Sequence, residues 1–446
     1  MSAGSEMPRY LPGRRARRVL AGLGALVALA AGLPAAAAPT DAQAGGVVAR
    51  LTGLPAAVVT PGQGFAVEVG VENLGSVSVD DAAVSFALTR EPLAGVEAIQ
   101  GFVAGADTAV RTVARTSIGS PSAATGGEPS TRLLAGDVTS VTAEATSDTL
   151  ALPQDAWGVY GVVVRLETSE GWTTIDRGTL TWAGVPIPEL GVAAIAVASG
   201  ETVRARAVAG ASDVPGVSLL LDEDSLGRVG GAGLNLAERE VFRLPTANPD
   251  MVSLAHAEDQ EMMAYALDRS RRSELEATRD MPWIAVATAL DRSTAAYALA
   301  NGASAVLLDG RAADTAAGAD DSALRSIAVA AGSVRVLVPE PTLSETARGT
   351  GAAAPALAVA QAAALAGAGS GTVLVSPGVA WAPAGTNASA TLLALSAAPF
   401  VASVDVSDLI AGDGGAPLGA PRFADTQDDL AASTLAGLAR RLDRSR

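Results

Sequence analysis

The sequence predicts a multidomain β + α/β protein. An immunoglobulin-like β-sandwich fills residues 39–185, and a (β/α) barrel-like domain, with room for a missing last part, fills residues 186–446. An open doubly wound sheet is the alternative for the second half. Three observations predict this. From Val47 the apolar residues recur with a period of two, and beyond Pro186 short apolar runs alternate with helix-length segments. The third is composition: 49% of the chain is apolar but only 3% aromatic, so the cores must be built from Ala, Val and Leu.

In chain order, residues 9–18 are rich in Arg, Val19 to Leu33 is an apolar run, and Pro34 with Ala35 to Ala38 follows. Charged, apolar and small-residue segments in that order make residues 1–38 a secretory signal peptide. The apolar run is short for a bilayer span, which needs about 20 residues. No later stretch is long and apolar enough to span, so the mature product is expected to lie outside the cytoplasm without a transmembrane segment. Val47 to Leu51, Phe65 to Asn73, Ala83 to Leu88, Trp157 to Leu166 and Thr179 to Trp182 read as short strands between Gly, Pro and Asn turns. Such spacing favours a sandwich of immunoglobulin type. Gly105 to Gly136, rich in Ser, Thr, Ala and Gly, reads as a long mobile loop. Trp157 and Trp172 could form a carbohydrate-stacking surface, although core or edge packing is the favoured reading.

Beyond the linker Pro186–Pro188, candidate strands are Val192–Val197, Val217–Leu221, Glu240–Leu244, Trp283–Ala287, Ala305–Leu308, Val334–Val338 and Thr372–Ser376. Candidate helices are Met251–Arg272, Arg292–Asn301, Ser322–Ala331, Pro355–Ala366, Ala388–Ala397 and Thr426–Leu442. Near-continuous apolar strands separated by helices indicate a largely parallel sheet covered on both faces. Seven strands is close to the eight of a closed barrel.

Charge and rare residues exclude several functions. The net charge is −16, and residues 1–38 carry five Arg against one Glu, so the rest of the chain is more acidic still. It lacks the cationic footprint that nucleic acid requires. Lysine is absent; with the abundant Ala and Gly this suggests a high-GC codon bias, which inflates apparent helix propensity. Without Cys there is no disulfide framework or thiolate chemistry, and a single His, His256, cannot build a His-based metal cluster. No Gly-rich phosphate loop has the required strand and helix around it, so no cofactor is expected.

An acid stands where several predicted strands end. Asp222 follows Leu219 to Leu221, Asp309 follows Val306 to Leu308, and Glu340 follows Leu337 to Pro339. Asp250 closes the turn Asn248-Pro249-Asp250 between a strand and a helix. In a parallel barrel such positions gather at one mouth, where two carboxylates can work as acid and nucleophile or base. Asp250, Asp222 and Asp309 are the catalytic candidates; Asn248, His256, Glu340 and Trp381 are the substrate-binding ones. The competing reading makes these acids helix N-caps. No metal site is expected.

The chain resembles an uncharacterised family of secreted actinobacterial cell-envelope proteins, often encoded near the lipid II flippase. The resemblance rests on Trp157-Gly158-Val159-Tyr160, Leu219-Leu220-Leu221-Asp222, the Leu-Pro…Asn-Pro-Asp stretch ending at Asp250, Trp381, and Val404 to Leu409. It implies a signal peptide, a β-sandwich, an α/β region akin to glycoside-hydrolase barrels, and a C-terminal membrane anchor. Asn248 stands where the family leads one to expect an acid, and the sequence reaches Arg446 without an anchor. The combined reading is an exported, non-catalytic module that binds cell-wall glycan or another envelope protein. A glycan hydrolase or deacetylase using strand-end carboxylates and a structural spacer or scaffold are the alternatives.

Overall fold

Two antiparallel four-stranded sheets form the first half of the fold. One has the order Ala42–Ala44, Val47–Gly53, Phe65–Asn73, Val138–Ala145. The other runs Gly171–Ala183, Trp157–Thr168, Ala83–Thr89, Val110–Ser117. This computed structural model describes residues 42–44, 46–119, 132–226, 236, 238–272, 281–310, 322–384, 389–412 and 416–418. Residues 1–38, read as a signal peptide, lie outside them, as does the candidate helix Thr426–Leu442. In Phe65–Asn73 every second side chain is buried, as the period of two requires. The inner faces of both sheets contribute to one apolar core, in which Phe65 and Phe86 meet edge to face with ring centroids 5.6 Å apart. The stretch read as a loop from Gly105 to Gly136 contains strand Val110–Ser117, paired antiparallel with Ala83–Thr89. Residues 120–131 of that stretch lie outside the described residues.

The second half is α/β. Strands Leu190–Ala198, Val217–Leu221 and Val241–Arg243 pair in parallel, and Thr372–Val375 pairs with the far edge of Leu190–Ala198. A second sheet pairs Ile284–Ala287, Ala305–Leu308 and Gly332–Leu337 in parallel. Two isolated parallel bridges join the sheets, Arg243 to Trp283 and Pro339 to Leu374. The pairing of seven strands therefore runs around a closed ring.

Alternation sorts the ring's side chains. Ile195, Val197, Leu220, Phe242, Ile284, Val286, Leu307, Leu337 and Leu374 belong to one inner cluster. The opposite parity packs outward, Leu219, Leu221 and Val375 against helices Thr202–Ala211, Ala354–Gly367 and Ala390–Ala397. Val306, Leu308 and Val336 pack against Met251–His256, Gln260–Arg271 and Arg292–Ala300. At the N-terminal end of the strands, the short helix Val406–Ala411 closes the ring, with Val406 fully buried in the inner cluster. Glu240 caps this helix from another part of the chain. It accepts the N–H groups of Val406 at 2.9 Å and Ser407 at 2.8 Å, and also the Ser218 hydroxyl.

Two expected helices are corrected. Ser322–Ala331 is a strand, Leu324–Val329, which turns back antiparallel onto Gly332–Leu337. Its Ala-rich end imitates a helix; Ile327 and Val329 supply the β-branched side chains, and Gly332 opens the returning strand at φ +146. The expected helix Met251–Arg272 is two, Met251–His256 and Gln260–Arg271, because Glu258 takes φ +53 and Asp259 caps the second by accepting Met262 N–H.

Candidate functional site

The C-terminal end of the ring gathers the chemistry. Continuing the inner alternation two residues past Val197, Leu220, Leu307 and Leu374 places Ser199, Asp222, Asp309 and Ser376 on the inner parity of this mouth. The structure thus brings two of the three catalytic candidates, Asp222 and Asp309, to one mouth.

Asp222 is 1% exposed. Its Oδ2 accepts the Ser225 hydroxyl and the Ala247 N–H, the latter at 3.1 Å. Burial pushes its carboxyl above the usual carboxylate range, those two hydrogen bonds pull against the shift, and the nearby Asp224 charge adds to it. Asp309 is 9% exposed, and its Oδ2 accepts the Val379 N–H at 3.3 Å. The loop it holds, Ser376 to Val379, is clamped from both sides. Arg348 Nε donates to the Pro377 carbonyl at 2.6 Å, and Arg204 donates to the Val379 and Ser199 carbonyls. Gly378 has φ +78, and a Cβ there would stand 2.3 Å from Asp309 Oδ1, so only glycine lets the loop approach that carboxylate. With Gly200 N–H donating to Ser225 Oγ at 2.9 Å, a polar band runs across the mouth from Asp309 through Arg204 to Asp222.

The remaining candidates serve the loops around this band. Asp250 caps helix Met251–His256: Oδ1 accepts Val252 N–H at 3.1 Å and Ser253 N–H at 3.3 Å, and Oδ2 accepts the Ser253 hydroxyl. Glu340 caps Pro341–Arg348 by accepting Leu343 N–H. Asn248 sits in the left-handed region at φ +40 and closes the turn by donating its N–H to the Pro245 carbonyl. Trp381 is 3% exposed and packs in the core outside the ring, so this substrate-binding candidate presents no open ring at the mouth.

His256 lies with Asp291, Nε2 to Oδ2 at 3.0 Å. Burial raises the Asp291 carboxyl, but the N–H of Thr294 and the hydroxyl of Ser293, with His256, outweigh it and hold the pKa at about 2. A carboxyl depressed from 3.8 stabilises the fold above that value and loses the contribution as pH falls through about 2. Wild type should therefore lose about 1 kcal/mol more than Asp291→Asn between pH 4 and 2, after allowing for solvent screening. Urea unfolding at stepped pH measures it; parallel curves would refute the pairing.

The sequence did not single out Arg204, Arg348, Ser225, Asp291 or Gly378. Gly378 left a signal, in the Ser-Pro-Gly that follows a predicted strand, and Asp291 another, as the acid directly before a predicted helix. Among the described residues, no group of three or more His, Asp or Glu is placed to hold a metal ion.

No protein-family model and no curated protein matches the sequence. Solved structures show weak, local likenesses. A β-glucosidase from Listeria innocua is 16% identical over 32% of this chain and 16% of its own, with a TM-score of 0.21. DesR, a β-glucosidase from Streptomyces venezuelae, is 17% identical over 30% of this chain and 15% of its own, at 0.19. AvmM, which catalyses macrocyclization in alchivemycin A biosynthesis, is 11% identical over 32% of this chain and 90% of its own, at 0.20. This chain thus spans about a sixth of either β-glucosidase. The fold is mixed α/β with several sheets, and no helix among the described residues is long and apolar enough to cross a membrane.

Proposed function

We propose that this is an exported cell-envelope protein in which an immunoglobulin-like sandwich precedes a degenerate, glycoside-hydrolase-like barrel. The barrel holds cell-wall glycan or an envelope protein without cleaving it. Export is supported by the Arg-rich, apolar and Ala-rich order of residues 9–38. One observation carries the non-catalytic reading: Asp222, Asp250, Asp309 and Glu340 each anchor a loop or cap a helix. Such carboxylates keep spare lone pairs for polyol hydroxyls, because an ionised carboxylate offers about four acceptor positions. Asp309 is the best placed, since Val379 occupies one of its oxygens and the mouth lies beside it.

Co-sedimentation with purified cell-wall polysaccharide, with reducing-end release assayed in parallel, tests this. Wild type should sediment and release nothing, and Asp309→Asn should weaken retention about tenfold. Loss of all association in both would overturn the binding role.

A second reading, a hydrolase, is favoured by Asp222. A buried carboxyl held above its ordinary range is what a general acid needs. Release present in wild type and absent in Asp222→Asn would establish that reading instead.

A further inference from the structure

The outer face of sheet Gly171–Ala183, Trp157–Thr168, Ala83–Thr89, Val110–Ser117 carries helix packing over half its length. There helix Gly95–Val103 lies on it: the Phe102 ring fills the space above Gly161, and Arg177 Nη1 donates to the carbonyls of Phe102 at 3.0 Å and Ala106 at 2.8 Å. The other half is polar; Ala83 and Ser85 at its centre are 0% and 1% exposed, and Trp172 and Arg115 carry its open surface. Two neighbouring rows cross it, Trp172, Glu167, Ala83 and Ser117 in one, Thr174, Arg165, Ser85 and Arg115 in the next.

Trp172 is 61% exposed and is the one aromatic ring among the exposed large apolar side chains of the described residues. The Arg165 guanidinium lies 4.3 Å from its ring centroid and backs one face, leaving the other to solvent. Beside it Glu167 accepts the Ser85 hydroxyl at 2.5 Å and Arg115 Nε at 2.7 Å. Arg115 is half exposed, whereas Ala83 and Ser85, between it and the Trp172 strand, are buried.

We propose that this half-face is a second site, binding a neutral polysaccharide with Trp172 stacked on a pyranose ring. A fixed aromatic plate next to paired donors and acceptors suits a molecule with apolar C–H faces and a rim of hydroxyls. From Trp172 on the first strand to Arg115 on the fourth is three strand spacings, roughly 15 Å at about 4.8 Å each, the span of a chain rather than of a single sugar. Arg115 and Glu167 neutralise each other and Arg165 is spent on the ring, so a neutral polymer fits better than an anionic one. The site stands apart from the mouth and does not depend on the reading given there.

Affinity electrophoresis of the full chain through a neutral β-glucan, a mannan and an arabinogalactan tests it, with polygalacturonate as the anionic counterpart. At least one neutral polymer should retard wild type and shield the exposed tryptophan fluorescence from acrylamide. Trp172→Ala should weaken that retardation about tenfold and Trp172→Phe should keep part of it, in the Asp309→Asn background as in the wild type. Three results would each overturn the proposal: equal retardation of wild type and Trp172→Ala, no retardation by any neutral polymer, or tighter binding to polygalacturonate. Loss in Asp309→Asn with Trp172→Ala unaffected would return binding to the mouth alone.

Discussion

Trp182→Ala lowers the free energy of unfolding by about 3–5 kcal/mol, as removal of a fully buried large aromatic side chain does. Trp182 is 1% exposed, the largest fully buried side chain among the described residues, and lies in the core shared by the two antiparallel sheets. Its ring also has a polar duty, since Nε1 donates to the Pro153 carbonyl at 2.5 Å. Around it the backbone is stitched to a separate segment: Val59 N–H donates to Thr181 and Val59 accepts from Ala183, both at 2.9 Å. Truncation leaves a cavity and an unpaired carbonyl together. Trp182→Phe fills most of the volume and loses only the donor, so its cost should be smaller. Urea unfolding followed by circular dichroism measures both; a change under about 1 kcal/mol in the alanine variant would show that the core can collapse around the gap.

Glu240→Ala costs about 2–3 kcal/mol and loosens the base of the ring. No side chain of helix Val406–Ala411 caps it, because Asp405, at the cap position, makes no such hydrogen bond. Glu240 stands in from a remote strand end, receiving the two free N–H groups and the Ser218 hydroxyl. Removing it strands three donors, and the helix they anchor carries Val406 into the inner cluster. Faster amide exchange in residues 406–411 should accompany the loss, with Glu240→Gln intermediate. Unchanged exchange there would mean that packing alone seats the helix.

The repeating parts of this fold were legible from sequence. Val217–Leu221 and Ala305–Leu308 were found with their observed bounds, because short, mostly apolar runs followed at once by an acid have few other uses. The first strand of the hairpin that follows, Leu324–Val329, was not, because in a chain this rich in Ala a strand and a helix present nearly the same letters; its return strand was read as Val334–Val338. Helix Thr202–Ala211 was missed for the opposite reason: its apolar residues are interrupted by Arg204 and Arg206. At the mouth, sequence placed Asp222 and Asp309 directly after their strands, but their partners are remote. Ala247 is 25 residues from Asp222, and Val379 is 70 from Asp309. No local pattern says whether a strand-end carboxylate faces a ligand or a distant loop. The aromatics were ambiguous in the same way: Trp381 turned into the core while Trp172 stayed in solvent.

The ring of strands is not equally strong all the way round. Five of its seven junctions are ladders, whereas two are single bridges, at Arg243 and at Pro339. The main-chain hydrogen bonds seen there are Arg243 N–H to Pro282 at 3.0 Å and Glu340 N–H to Leu374 at 2.7 Å. Mechanically, the cylinder is two stiff staves meeting along two thin seams. Along those seams the side chains of the inner cluster, drawn from both staves, do the joining that ladders do elsewhere.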